Sequence, residues 1–305
     1  MPSMNSFVVH TVAIAGAGGH LGRKVLDALL EEEAFDVTIL VRRGRTLMDY
    51  PPGVRFTTVD YGSPQSLRAA LQGIDAVVSA LGKKTGLECQ FNLIDAAVAA
   101  GVKRFIPSEF GADLQNPKIR GFPTYRTKVQ TEQYLEKLAD RSSLTYTYIY
   151  NSLLLEDGLE MKVFGDFSAR TINIYDGGNT AFSTTRMTTV ARAVVAVLKQ
   201  FEATKNRAVR IRDISISPNE LLRRIQKRDS GHQWTPVAVD AAALVKEAEG
   251  EWASGRFSPK AFAAFATRAT FARGIAGSYN GDNERLGIEE MTRKEMEDAL
   301  QGRLL

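Results

Sequence analysis

The segment Thr11–Gly22, TVAIAGAGGHLG, constrains this chain more than any other stretch. Its first five residues are an apolar run bounded by glycine, which predicts a short buried strand. Gly16, Gly19 and Gly22 then form G-x-x-G-x-x-G, with Gly18 a fourth glycine inside it. From Leu21 to about Glu33 the apolar residues Leu21, Val25, Ala28 and Leu29 recur at helical spacing. A strand, a tight glycine turn and a helix in this order place backbone N–H groups at a helix N-terminus, where an anion binds. A Cβ in the turn would hold a pyrophosphate away from those groups. Glycines alone would suit a turn that binds nothing. The strand before, the helix after and a second strand about twenty residues on select nucleotide binding. Gly16, Gly18, Gly19, His20, Leu21 and Gly22 are therefore candidate cofactor contacts.

Further strands are expected at Val37–Val41, Val54–Val59, Ala76–Leu81, Arg104–Pro107 and Thr145–Asn151. Helices are expected between them at Ser66–Leu71, Leu87–Ala100 and Tyr125–Leu138. Alternating strands and helices are βαβ units, and right-handed crossovers wind them into a parallel sheet covered on both faces. The predicted fold class is α/β, a doubly wound parallel-sheet Rossmann domain over residues 1–155. Residues 156–305 are expected to form a smaller α/β substrate-binding C-terminal region, intimately packed, with the option open that one of its strands returns to the main sheet. Within it Thr171–Asp176 reads as a strand and Thr188–Gln200 as a helix. Val209–Ile216 alternates apolar and polar residues and predicts one half-exposed strand. Ser217 with Pro218 and Glu220, and Thr292 with Glu295, are capping boxes that start helices. Helices are also expected at Ala241–Trp252, Pro259–Ala272 and Arg293–Leu300. The aromatic, alanine-rich stretch Phe257–Phe271 reads as a helix closing the substrate pocket, in preference to one that binds a partner.

Composition excludes several other functions. Cys89 is the single cysteine of 305 residues, so no intrachain disulfide forms and a reducing, cytoplasmic setting is expected. With only His10, His20 and His232 beside it, no metal site is expected. The net charge of +4 comes without a block of Lys and Arg, which argues against nucleic acid as a partner. No apolar run reaches the ~18 residues of a membrane span. The first apolar stretch also lacks the basic flank of a secretory signal. No G-x-S-x-G elbow accompanies His232, which excludes a serine hydrolase.

The end of the second strand selects the cofactor. An acidic residue there would take the ribose hydroxyls of NAD, whereas this chain has Arg42, Arg43 and Arg45. Guanidinium groups suit a 2′-phosphate, so NADPH is expected. Asp60 closes the third strand and either receives the adenine amino group or caps a turn with Ser63. Lys83, after the fourth strand, either touches phosphate or ribose or is a free loop lysine. Ligands of open α/β sheets bind beyond the carboxyl ends of the strands. Ser108, Glu109 and Phe110 should therefore approach the nicotinamide, and Asn151, Leu153 and Leu154 should line a substrate pocket together with Phe182.

Four segments carry a resemblance: GAGGHLG, the LVRR end of the second strand, QFNLIDAAVAA at Gln90–Ala100, and above all KRFIPSEFG at Lys103–Gly111. They resemble the isoflavone reductase family, which includes phenylcoumaran benzylic ether reductases and pinoresinol–lariciresinol reductases. These are atypical short-chain dehydrogenases related to NmrA-like proteins. The likeness covers about residues 10–155, and the LGIEEMT segment near the C-terminus fits too. It implies an NADPH-dependent reductase of an aromatic or secondary-metabolite substrate, with Arg42 as the 2′-phosphate ligand. The family's catalytic lysine, followed eight residues later by Glu, corresponds to Lys128 and Glu136. The ordinary Tyr-x-x-x-Lys pair is absent, because Tyr125 precedes Lys128 by three residues. The basic residues that follow the family's lysine are here Thr131, Glu132 and Gln133, which leaves the substrate open. A lysine works as acid and base when desolvation draws its pKa toward neutrality. Tyr125 and Thr124, one turn away, are expected to orient it, with Tyr125 and Glu109 near the substrate. Two alternatives stand beside the reductase: an NmrA-like NADP(H) sensor without turnover, and a non-redox isomerase or cyclase. A monomer or homodimer is expected.

Overall fold

The structure is a computed structural model describing residues 7–44, 50–51, 54–82, 86–256, 258–276, 279 and 281–301. Its first half runs β1 (Thr11–Ala15), α1 (His20–Glu31), β2 (Asp36–Arg42), β3 (Arg55–Val59), α2 (Pro64–Ala70), β4 (Ala76–Ser79), α3 (Cys89–Ala100), β5 (Arg104–Ile106), α4 (Pro117–Arg120), α5 (Arg126–Ala139) and β6 (Thr145–Tyr150). It continues with β7 (Leu153–Leu154), α6 (Leu155–Glu160), β8 (Thr171–Tyr175), β9 (Phe182–Thr185), α7 (Met187–Lys199), β10 (Arg207–Arg210), β11 (Ile214–Ile216) and α8 (Pro218–Arg228). The last elements are β12 (Thr235–Val239), α9 (Ala241–Ala253), α10 (Pro259–Phe271) and α11 (Arg293–Gln301).

Seven strands form one parallel sheet in the order β10-β6-β5-β4-β1-β2-β3. The order turns back between β1 and β4, so the chain leaves these neighbours toward opposite edges and opens a crevice at their carboxyl ends. Both faces of the central strands β1, β4 and β5 are buried, as their near-continuous apolar sequence requires, whereas the edge strand β3 is largely exposed. Val12, Ile14, Ile39 and Val78 meet Val25, Leu26 and Leu29 of α1 and Val190 and Val194 of α7. Ala13, Leu40, Val77 and Phe105 face Leu67 of α2, Leu93 of α3 and Leu135 of α5. Each fully buried Leu, Ile or Val contributes about 1.5–3 kcal/mol.

The stretch expected as one half-exposed strand at Val209–Ile216 is two strands in two sheets. β10 extends the main sheet beside β6, and β11 pairs antiparallel with β9 in a three-stranded sheet that also contains β7. The alternating arginines are half-buried and paired with carboxylates. Arg210 pairs with Asp113 at 2.6 Å and Arg212 with Glu290 at 3.0 Å. The change of sheet occurs around Asp213, whose buried carboxylate accepts from Arg186 Nε at 3.0 Å and Thr189 Oγ1 at 2.8 Å.

Arg104, in the KRF segment, is fully buried and ties the later chain to the sheet. It donates to Thr145 and Thr147 of β6 and to the carbonyl of Phe201, and it stacks on the Phe201 ring at 4.3 Å. The Thr292–Glu295 box closes in both directions, whereas Glu220 gives its carboxylate to Arg224 and Arg293. No helix among the described residues is long and apolar enough to cross a membrane.

Candidate active site

Gly16 leaves β1 with φ +86°, and a Cβ on it would stand 2.4 Å from the carbonyl oxygen of Ala80 beyond β4. A Cβ on Gly22 would stand 2.1 Å from the Gly16 carbonyl oxygen. These two glycines are demanded by the fold itself, because loop, sheet and α1 touch backbone to backbone. Gly19 differs: a Cβ there would meet only the Gly16 oxygen, at 3.4 Å, an ordinary contact. Gly18 and Gly19 are exposed, and α1 begins at His20 with no side-chain cap and no acidic residue in its first turn. The loop thus offers first-turn N–H groups without a capping carboxylate, the arrangement an anion needs.

A cleft of about 230 Å³ runs from Gly19–Gly22 past the end of β4 to Ser108, Glu109, Phe110 and Lys128. A larger one, about 530 Å³, lies at the opposite edge of the sheet around Thr11, Arg55 and Gly73, away from the glycine loop. At the mouth of the smaller cleft, His20 comes near Asp157 and Glu160 of α6, their ligand-capable atoms within 4.8 Å of one another.

Lys128, half-buried on the first turn of α5, donates from Nζ to the backbone carbonyl of Glu109. This corrects the expectation that Thr124 and Tyr125 orient it. The Thr124 hydroxyl is buried without a hydrogen-bond partner among the described residues, and Tyr125 is buried edge-on to Phe262, 6.5 Å between ring centres. Burial pushes the Tyr125 phenol well above its usual range, so it stays protonated. Ser108 is held on both sides: its N–H donates to Gln90 Oε1 at 2.9 Å and its hydroxyl to the Leu81 carbonyl at 2.8 Å.

Behind this wall lies a polar network of Arg120, Glu132 and Tyr150, none of them expected at the site from the sequence. Glu132, buried one turn beyond Lys128, accepts from Arg120 at 2.7 Å and from the Tyr150 hydroxyl at 2.5 Å. Burial pushes its carboxyl up, against the pull of Tyr150 and Arg120. Glu109 is 1% exposed, and neither of its carboxylate oxygens has a hydrogen-bond partner among the described residues. Its carboxyl is pushed up to about 7, by burial first. The available signal was spacing: Lys128, Glu132 and Glu136 fall on one face of α5. Gln90 was likewise visible only as one amide in an apolar helix.

The remaining expected residues are spread more widely. Arg42 and Arg43 are exposed at the carboxyl end of β2. Asp60 takes the turn role, its Oδ1 accepting from the Gly62 N–H at 2.9 Å and its carbonyl from the Ser63 N–H at 3.0 Å. Lys83 and Arg45 lie outside the described residues. Asn151 is fully buried, its carbonyl accepting from Thr185 at 2.7 Å. Leu153 and Leu154 are half-buried in β7, paired with β9. Phe182 is 1% exposed and packs on Phe164 and Phe271, with ring centres 5.6 and 4.7 Å away. None of these four residues, nor Tyr125, lines the 230 Å³ cleft. For Phe182 the reason is that β9 lies between β7 and β11 and turns this side chain into a separate apolar cluster with Phe164, Ile172 and Phe271. Of the stretch expected to close a pocket, Phe257 lies outside the described residues. α10 packs on α9, with Phe265 between Phe122 and Trp252.

Sheet order, glycine loop and lysine-bearing cleft define a Rossmann-type α/β protein in which an uncapped helix N-terminus and a lysine line one cleft. Residues 9–255 match the NmrA-like family, and the chain belongs to it. The oxidoreductase aprR of Aspergillus flavus is 32% identical over 249 residues, covering 80% of this chain and 82% of that protein. The crystal structure of an isoflavone reductase superposes with a TM-score of 0.75 at 19% identity, covering 96% of this chain and all of the other. A structure of AtPrR2 with NADP+ and (+)pinoresinol superposes with a TM-score of 0.71 at 20% identity, over 91% of this chain and 92% of that one.

Proposed function

We propose that the chain is an NADPH-dependent reductase of an aromatic or secondary-metabolite substrate, with Lys128 as its general acid and base. The observation that carries this reading is the cleft shared by the glycine loop and Lys128. The residues present fit the cofactor: Gly19 leaves open space where a side chain would stand, the α1 N-terminus is uncapped, and two exposed guanidinium groups end β2. NADPH, when bound, supplies a hydride. The α1 N–H groups would hold its pyrophosphate, Arg42 and Arg43 its 2′-phosphate, and the Ser108–Phe110 wall its nicotinamide end. The substrate oxygen, where charge develops as hydride reaches carbon, would take its proton from the Lys128 ammonium. The Glu109 carbonyl aims that ammonium along the cleft wall. The single Cys89 supports a cytoplasmic setting, and we propose a monomer or homodimer.

The test is nicotinamide absorbance with an aromatic substrate panel, for wild type and Lys128→Met. Turnover of the variant should fall about 10²–10⁴-fold while NADPH affinity changes less than about threefold. Tight NADPH binding by the wild type without consumption would favour a sensor or a non-redox enzyme. Equal turnover by the two proteins would make the lysine structural.

A further inference from the structure

Two buried carboxyl groups stand behind the cleft wall, and their surroundings differ. Glu132 has the donors: Arg120 at one oxygen and Tyr150 at the other. Glu109 has none among the described residues, although it is 1% exposed and borders the cleft. The charged and titratable groups acting on it are Lys128 and Glu132 from α5 and Arg120 from α4. Tyr125 from the turn before α5 and Tyr148 and Tyr150 from β6 feel its charge in turn. A carboxylate anion out of water needs hydrogen-bond donors, whereas a carboxylic acid tolerates their absence far better. Arg120 is already spent on Glu132, and the negative charge of Glu132 disfavours a second anion beside it. Lys128 is the nearby cation, and its Nζ is bound to Glu109's own carbonyl rather than to the carboxyl.

Resting on the reductase reading, we propose that Glu109 is held as an uncharged acid and acts through Lys128 as its proton store. In the first step an N–H bond of the Lys128 ammonium breaks and an O–H bond forms on the substrate, leaving a neutral amine. Next the neutral amine of Lys128 turns from the Glu109 carbonyl to the Glu109 carboxyl, whose O–H bond breaks as the N–H bond of Lys128 is restored, leaving a carboxylate beside an ammonium. After product leaves, a proton from solvent returns to Glu109. Neither residue is oxidised or reduced. The resting site carries the full positive charge of Lys128 toward the cleft, where an oxyanion develops. A resting ion pair would have cancelled that charge.

The experiment compares the full-length wild type with Glu109→Gln, Glu109→Asp and Glu132→Gln. Infrared difference spectra between mildly acidic and mildly alkaline buffer should show the C=O stretch of a weakly bonded carboxylic acid that disappears as pH rises. That band should be lost in Glu109→Gln and kept in Glu109→Asp and Glu132→Gln. With a panel compound that the wild type reduces, Glu109→Gln should lower kcat roughly tenfold, leave KM and NADPH affinity within about twofold, and lose the pH inflection that Glu109→Asp retains. A wild type without the band, or a Glu109→Gln protein that keeps it, overturns the proposal. So does a wild type that reduces the compound with the same pH profile as Glu109→Gln, and that outcome leaves the reductase reading standing. Absence of NADPH consumption by the wild type across the panel defeats the reductase reading and the proton-store role with it, while the infrared band still reports the state of Glu109.

Discussion

The two walls of the cleft are built from different materials. The wall at Gly16–Gly22 is backbone: its shape follows from two glycines whose missing side chains let sheet, loop and helix touch. The wall at Glu109 and Lys128 is side chain and carbonyl, assembled from the end of β5, the start of α5 and, behind them, α4 and β6. The loop of the first wall is contained in Gly16–Gly22 and needs only the end of β4 at Ala80 to seat on. The second exists only once α5 has docked on the sheet. A local backbone device accommodates any anion of the right size, whereas an assembled polar wall sets which chemistry follows.

The sharpest way to break this comparison is within the glycine loop. In Gly22→Val the added carbon meets the Gly16 carbonyl at 2.1 Å, backbone against backbone, with no flexible side chain to yield. A loss of more than about 3 kcal/mol in unfolding free energy is expected. Gly19→Val has room in the folded chain, so its melting curve should stay near that of the wild type while NADPH titration detects no binding. Should Gly19→Val bind NADPH normally, the pyrophosphate lies elsewhere and the first wall is only a tight turn.

A smaller effect is expected at the rim. Arg42→Ala should cost NADPH about 1.5–3 kcal/mol, ten- to a hundredfold in affinity, through one charge-assisted phosphate contact. NADH binding should be unchanged, so titration of both nucleotides isolates the 2′-phosphate. An unchanged preference in the variant would show that the exposed end of β2 does not select the cofactor.

The contrast between the walls also explains what the sequence disclosed. TVAIA with its glycines, VTILV and the alternation of strands with helices carry their meaning in neighbouring residues, so the α/β fold and the loop were legible. Lys128 was named only through the resemblance that Lys103–Gly111 carries, and it lies on the cleft wall. The Val209–Ile216 stretch misled because its alternation runs through a change of sheet, and Arg210 and Arg212 find carboxylates distant in sequence, Asp113 and Glu290. Phe182 misled because a strand's sheet partners decide which way its side chains turn, and β9 pairs with β7 and β11 rather than with the main sheet. Glu132 was hidden for the same reason: its partner Tyr150 is eighteen residues away, and only the docked helix reveals that a charged residue has been buried.

The smallest effect tests the second wall without any substrate. Burial lifts the Glu109 carboxyl from its ordinary 4.5 to about 7 in the folded chain. Across that window the folded chain holds a proton that the unfolded chain has released, so unfolding releases it. Stability must therefore fall as pH rises through the window, and this contribution is flat above and below it. The wild type should lose on the order of 1–3 kcal/mol relative to Glu109→Gln between acidic and mildly alkaline buffer. The amide buried in the variant carries its own cost, but that cost does not change with pH and cancels in the difference between two pH values. Urea midpoints of both proteins across the window give the measurement. If the wild type instead gains stability over the variant as pH rises, Glu109 is ionised and paired with Lys128 in the folded chain. The second wall would then be a neutral ion pair, and the positive charge it presents to a developing oxyanion would have to come from elsewhere.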